Sequence, residues 1–202
     1  MLDWPDCRNA RDLGGTPTSD GRRIRVGALL RSDGHDLLTG PAVQAVRDSS
    51  VSRIIDLRRA RECERNPSPF ARDAPYRHSP LLNEVLDYVP PPDSYSPMLD
   101  HNRHRIGAAF RVAAEAPPGG VVVHCHAGKD RTGVLVALLL AVAGVAPDEI
   151  ADDYAATDGC SRLAMLNTLT HLDRRYGGAT PYLTGTGVEA GLLRAVRARL
   201  AA

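Results

Sequence analysis

Apolar positions along this chain follow two periods. Continuous apolar runs mark strands, and 3.6-residue spacing marks helices. VSRIIDL, residues 51–57, and VVVHC, residues 121–125, are short runs of strand type. An uninterrupted run such as Val121-Val122-Val123 suits a strand covered on both faces. RRIRVGALLRS, 22–32, alternates enough for one or two strands, and YRHSPLL, 76–82, predicts another. Between them, Thr39-Gly40-Pro41 opens a helix to about Arg47, with proline in its first turn, and RRARECER, 58–65, predicts a short polar helix. Residues 66–75 read as a loop, and the proline-rich 89–97 as an exposed loop or lid. Apolar positions 106, 109, 110 and 113 predict a helix over 101–116. Further helices follow over 131–143, 147–157, 160–175 and 187–200. Strands mixed with helices, then helices alone, predict an α/β fold. Its central mixed, mostly parallel sheet is flanked by helices, with a helical C-terminal half. A length of 202 residues suits one domain.

Charge narrows the partners. Lysine and arginine total 25 against 24 acidic residues, a net charge of +1, so no nucleic-acid partner is expected and anion binding must be local. The cysteines Cys7, Cys63, Cys125 and Cys160 are scattered without a CxxC pair, which argues against a zinc site or a disulfide framework. The opening MLDWPDCRNARDLGG lacks the features of a secretory signal. The longest uncharged apolar stretch, residues 133–146, is 14 residues, too short to span a bilayer. A cytoplasmic protein without a transmembrane segment is expected.

The chemistry gathers at VVVHCHAGKDRTG, residues 121–133, where a strand meets a helix through a short polar turn. Successive backbone N–H groups in such a turn form an anion nest, and the unpaired N–H groups of the next helix add positive potential. Gly128 lets the backbone bend, and Arg131 can grip two oxygens of a phosphate with its planar fork. Cys125 at the start of the nest is then favoured as a thiolate, an in-line nucleophile for a trapped phosphoryl group. Alone, it would read as a small buried residue ending a strand. His126, Ala127, Gly128, Lys129 and Arg131 are the candidate phosphate ligands, and Thr132 is placed to hydrogen-bond the sulfur. No metal or cofactor is required by this chemistry.

His124, Cys125, Gly128, Arg131 and Thr132 complete the signature HCxxGxxR[ST], and the chain thereby resembles the cysteine-dependent protein tyrosine phosphatases. The form HCxAGKDRTG is similar to the bacterial PtpB-like branch. Asn9-Ala10-Arg11-Asp12-Leu13-Gly14-Gly15, Leu30-Arg31-Ser32, Ile55-Asp56-Leu57-Arg58 with Glu62, and Asp153-Tyr154 resemble further motifs of that branch. The resemblance implies hydrolysis of phosphotyrosine in proteins or peptides through a phosphocysteine. Phosphoinositides are the second substrate class, suggested by Lys129 beside the phosphate site. It also implies a structural hydrogen bond from His124 near the cysteine.

A proton donor is also needed. Asp130 stands in the loop itself, and the branch has an aspartate there; Asp93 lies 32 residues before Cys125 on the proline-rich segment. Both are candidates, Asp130 first. Trp4-Pro5-Asp6 copies a familiar acid loop but lies 119 residues before Cys125, so it is read as packing and capping. Asp56 and Arg58 are expected to brace the loop as an ion pair, His126 to form the pocket rim, and Tyr95 or Tyr154 to wall the substrate.

Overall fold

The computed structural model describes residues 4–83 and 91–201; residues 89–90 of the expected proline-rich lid lie outside that range. Among the described residues the sheet has five strands in the order β1-β2-β5-β3-β4. They are β1 (Arg11–Asp12), β2 (Leu29–Ser32), β3 (Val51–Asp56), β4 (Tyr76–His78) and β5 (Gly120–His124). β1 pairs antiparallel with β2, and all other pairings are parallel. The helices are α1 (Gly40–Arg47), α2 (Ala60–Arg65), α3 (Ser96–His101), α4 (Arg103–Ala114), α5 (Asp130–Ala143), α6 (Pro147–Ala155), α7 (Arg162–Tyr176), α8 (Ala179–Thr184) and α9 (Ala190–Leu200). The expected α/β architecture with a helical C-terminal half is present.

Central β5 shows why its sequence does not alternate. Successive side chains leave a strand on opposite faces. Val121 and Val123 join Leu29 and Ile55 in the larger core, while Val122 joins Leu30 and Ile54 in a smaller one. The larger core lies under α4, α5 and α9; the smaller is closed by Trp4, Phe70 and the Val43 and Val46 face of α1. Both faces exclude water, so neither selects polar residues.

Helix α5 is apolar almost all round because neighbours surround it: β2, β5, α4, α6, α8 and α9 all pack on it. Left-handed Gly144, at φ 93°, ends it. Gly133 permits a close approach of α6, since a Cβ there would stand 2.6 Å from the Tyr154 ring.

Several elements differ from the sequence expectation. The helix over 101–116 divides at Asn102 into α3 and α4, and α3 reaches back to Ser96. Pro97 sits in its first turn, where a missing N–H costs nothing, so proline density here marks a helix start as well as a loop. The strand expected over 76–82 stops at His78, before Pro80, and Leu81 and Leu82 turn into the core. Of residues 22–32 only Leu29–Ser32 forms a strand; Arg23 and Ile24 make isolated bridges to Pro17 and Ala201. Helix α8 was not expected among the glycines at 177, 178 and 185; buried Tyr182 and Leu183 hold it in place. No helix among the described residues is long and apolar enough to cross a membrane.

Ile55 is wholly buried in β3. Ile55→Ala is expected to lower unfolding free energy by about 2–5 kcal/mol, read from urea denaturation.

Candidate active site

The parallel register brings the carboxyl ends of four strands level. Ser32 aligns with His124, His124 with Asp56, and Asp56 with His78. Ligands of open α/β sheets bind beyond such ends. The segment Cys125 to Lys129 crosses this edge between β5 and α5.

Its outer side is tied down through carbonyls. Buried Arg31 donates to Gly128 O at 2.8 Å, and Asn9 Nδ2 donates to Gly128 O and Ala127 O at 3.1 and 3.3 Å. Gly34 N donates to His126 O at 2.8 Å. Asp153 of α6 holds the braces themselves: its carboxylate accepts from Arg11 at 2.8 Å and from Arg31 at 2.7 Å. Gly128 has φ 68°, and a Cβ there would stand 2.5 Å from Ser32 O, so no larger residue fits. Among the described residues, the N–H groups of His126, Ala127, Gly128 and Lys129 have no hydrogen-bond partner. With their carbonyls bonded outward, these amides form the expected nest at the N-terminus of α5.

Cys125 directly follows β5 and is 2% exposed. Arg131, in the first turn of α5, is clamped by Glu62 of α2, with Nη1 to Oε2 at 2.6 Å and Nη2 to Oε1 at 2.9 Å. Burial by itself weakens the Arg131 charge, but Glu62 and the nearby Cys125 sulfur outweigh it and raise its pKa above the ordinary value. Burial likewise pushes the Glu62 carboxyl up, and the bonds from Arg131 bring it below its usual range. The clamp occupies the Nη1/Nη2 edge of the guanidinium and leaves its Nε/Nη2 edge as a second fork. Thr132 is fully buried and its hydroxyl has no partner, so the expected bond to the sulfur is not formed.

Asp130 opens α5 beside Arg131, and both line a cleft of ≈ 480 Å³ with Glu62, Arg65, Leu82 and Met98. Tyr95 and Tyr154 do not wall this cleft. Both are buried, and both hydroxyls donate to Asp130 Oδ1, at 2.8 and 3.1 Å. Asp93 is exposed before α3, and only its main chain is tied, by Asn167 to its carbonyl at 2.9 Å. Among the described residues no hydrogen bond or ion pair joins the Asp93 carboxylate to the loop. Trp4 packs in the smaller core, and Asp6 accepts from the Thr39 N–H and hydroxyl at the start of α1. That segment is packing and capping, as its position implied.

Behind the loop, Asp56 and Arg58 form a buried pair at 2.8 Å. Tyr76 adds a hydrogen bond to Asp56 at 2.9 Å, and Arg58 reaches Asp36 at 3.2 Å. Burial pushes the Asp56 carboxyl up; the facing His124 ring and the Arg58 guanidinium outweigh it and hold it well below the carboxylate range. His124 Nδ1 lies 3.2 Å from Cys125 O, the structural bond that the resemblance implied. Its ring stacks on His35 with centroids 4.0 Å apart. On the other side of the loop, exposed His126 lines a second cleft with Ala127 and Lys129, and Asp6, Asp33, Asp36 and Asp158 also line it. The remaining cysteines carry no disulfide.

Sequence reasoning assigned no contact to Glu62, Asn9, Arg31 or Asp153. The signal was present in the short motifs that contain them, but the motifs do not say what each side chain touches. His35 left no signal.

Buried His35 is held neutral, first by burial and then by the neighbouring His124; its pKa lies well below its ordinary 6.5. Burial also lowers His124, against the pull of Asp56. Unfolded chains protonate these rings below 6.5, so the folded state binds fewer protons there. Stability is therefore complete above that pH and declines as pH falls below it toward the folded values. Unfolding free energies measured from about pH 7.5 to about pH 5 are expected to drop by up to about 2 kcal/mol per ring, and His35→Phe is expected to flatten the slope.

Comparison with known proteins agrees with this geometry. Residues 2–164 match the tyrosine phosphatase family. A Cupriavidus necator protein assigned by name to the tyrosine-protein phosphatases is 31% identical over 167 residues, covering 76% of this chain and 61% of that protein. A tyrosine-protein phosphatase of Nostoc commune is 34% identical over 151 residues, covering 69% of this chain and 51% of its own length. The chain thus spans between half and two thirds of these relatives. A match over so much of the sequence, with Cys125 and clamped Arg131 around a nest of unpaired amides, places the chain in the tyrosine phosphatase family.

Proposed function

We propose that this chain is a cysteine-dependent protein tyrosine phosphatase of the PtpB-like branch, acting as a single catalytic domain in the cytoplasm. The observation that carries the reading is one short loop that runs from buried Cys125 through four unpaired amides to Arg131, which Glu62 clamps. The Cys125 thiolate attacks phosphorus, forming a P–S bond as the bond to the leaving oxygen breaks. Asp130 gives that oxygen its proton. The N–H groups of His126, Ala127, Gly128 and Lys129, with Arg131, hold the three equatorial oxygens as charge spreads onto them. Water then cleaves the phosphocysteine, releasing inorganic phosphate and the thiolate, and Asp130 recovers a proton from the attacking water.

Cys125 is 2% exposed and is followed by exposed His126 and Ala127, which suits a phosphoryl group on a long, rigid phenol. A phosphoinositide is the second reading, for which Lys129 speaks. Against it, the cleft holding Lys129 also carries Asp6, Asp33, Asp36 and Asp158, a poor setting for a multiply phosphorylated headgroup. The position of Asp130 on the cleft beside Arg131 favours it over Asp93 as the acid.

Burst kinetics with p-nitrophenyl phosphate are expected, and Cys125→Ser is expected to abolish both burst and turnover; an unchanged rate in that variant would exclude the mechanism. Phosphotyrosyl peptides should outcompete inositol lipids for the Cys125→Ser protein. Glu62→Gln weakens the clamp, so kcat is expected to fall by about 10²-fold while the urea midpoint shifts little, since a misplaced fork costs rate.

A further inference from the structure

We infer that Tyr95 and Tyr154 are positioning residues for proton delivery by Asp130, fixing its carboxyl so that Oδ2 faces the leaving oxygen. The inference rests on the proposed role of Asp130 as the acid. Both tyrosine hydroxyls stand at one oxygen, Oδ1, at 2.8 and 3.1 Å, and within hydrogen-bond distance of each other; with one proton apiece, Tyr95 gives its own to Oδ1 and Tyr154 shares its own between Oδ1 and the Tyr95 oxygen. Among the described residues, Oδ2 accepts no hydrogen bond, and Asp130 borders the cleft beside Arg131.

The two rings come from different elements and are separately anchored. Tyr95 precedes α3, and its N–H donates to Thr168 Oγ1 of α7 at 2.8 Å. The Tyr154 ring of α6 lies against Gly133 of α5, with the Arg31 guanidinium 5.9 Å from its centre. The rings meet edge to face with centroids 5.7 Å apart. Burial raises the pKa of each phenol, so both keep their protons as donors.

An aspartate side chain turns easily about its terminal bond, and a half-turn exchanges its two oxygens. The coupled pair of hydroxyls held at Oδ1 removes that freedom and leaves Oδ2 to carry the proton. In the step itself, the O–H bond at Oδ2 breaks as the proton passes to the phenolic oxygen leaving phosphorus. The carboxylate left behind is ionised, and hydrogen bonds to an ionised acceptor are the stronger kind. The two hydroxyl contacts therefore gain strength as the reaction proceeds, which is the condition for lowering its barrier. The arrangement also makes proton delivery depend on tertiary packing, because α3, α6 and α7 must all be seated before the donors align.

The test compares phenyl phosphate, whose leaving group needs a proton, with 2,4-dinitrophenyl phosphate, whose leaving group does not. Tyr95→Phe and Tyr154→Phe keep the rings and remove the donors. Each is expected to lower the ratio of kcat for phenyl to dinitrophenyl phosphate by roughly tenfold, the scale of one hydrogen bond to a charged group, with KM little changed. Placed in an Asp130→Asn background, each should cause no further fall in that ratio, because the effect travels through the aspartate. If Asp130→Asn itself leaves the ratio unchanged, the acid is elsewhere and both readings fall. If Asp130→Asn lowers the ratio but neither tyrosine variant does, the positioning role alone is overturned. The same holds if the tyrosine losses are equal on both substrates, or add to that of Asp130→Asn. Should one variant not fold, the other carries the same comparison.

Discussion

The site depends on how the carbonyls of its loop are engaged. A peptide group has two polar ends, and fixing one fixes the other. Arg31 and Asn9 take the carbonyls of Ala127 and Gly128, and Gly34 takes that of His126, so the amides are turned the other way. The cost of burying the Arg31 charge is offset by Asp153, which also holds Arg11. The orientation of the loop amides therefore begins with cations and an amide on the outer side of the loop.

A second layer lies under the sulfur. Asp56, Arg58, Tyr76 and Asp36 form a hydrogen-bonded group in which each buried charge has a counter-charge. The ring of His124, the last residue of β5, faces Asp56 and stacks on His35. Burial lowers the pKa of both rings, which disfavours a further positive charge in a buried region that already contains Arg58. The loop is therefore flanked by ion pairs on both sides, and the Arg131–Glu62 clamp ties it to α2.

Much of this was legible in the sequence. The unbroken valine run fixed β5 as a doubly covered strand, and the spacing from Cys125 to Arg131 identified the anion nest. Pro41, Pro147 and Gly144 marked helix limits because their backbone chemistry admits few alternatives. The errors have a common cause. Pro97 and Pro80 are locally similar, yet one opens a helix and the other follows a strand, since each obeys the hydrogen bonds its surroundings leave available. Helix α8 has weak local signals and exists because Tyr182 and Leu183 fill space beneath it.

What the sequence by itself determined was the order of elements, the position of Cys125 just past a strand end, and the presence beside it of residue types suited to a tetrahedral anion. These follow from covalent spacing and from periods of 2 and 3.6 residues, which act over a few neighbours. Only the tertiary structure decided the pairings: Glu62 with Arg131, Asp153 with Arg31, and the two tyrosines with Asp130. Each joins segments 24 to 122 residues apart, and hydrogen bonds depend on distance and direction in space. No local pattern encodes those quantities; they arise once the sheet sets its register and the helices find their packing.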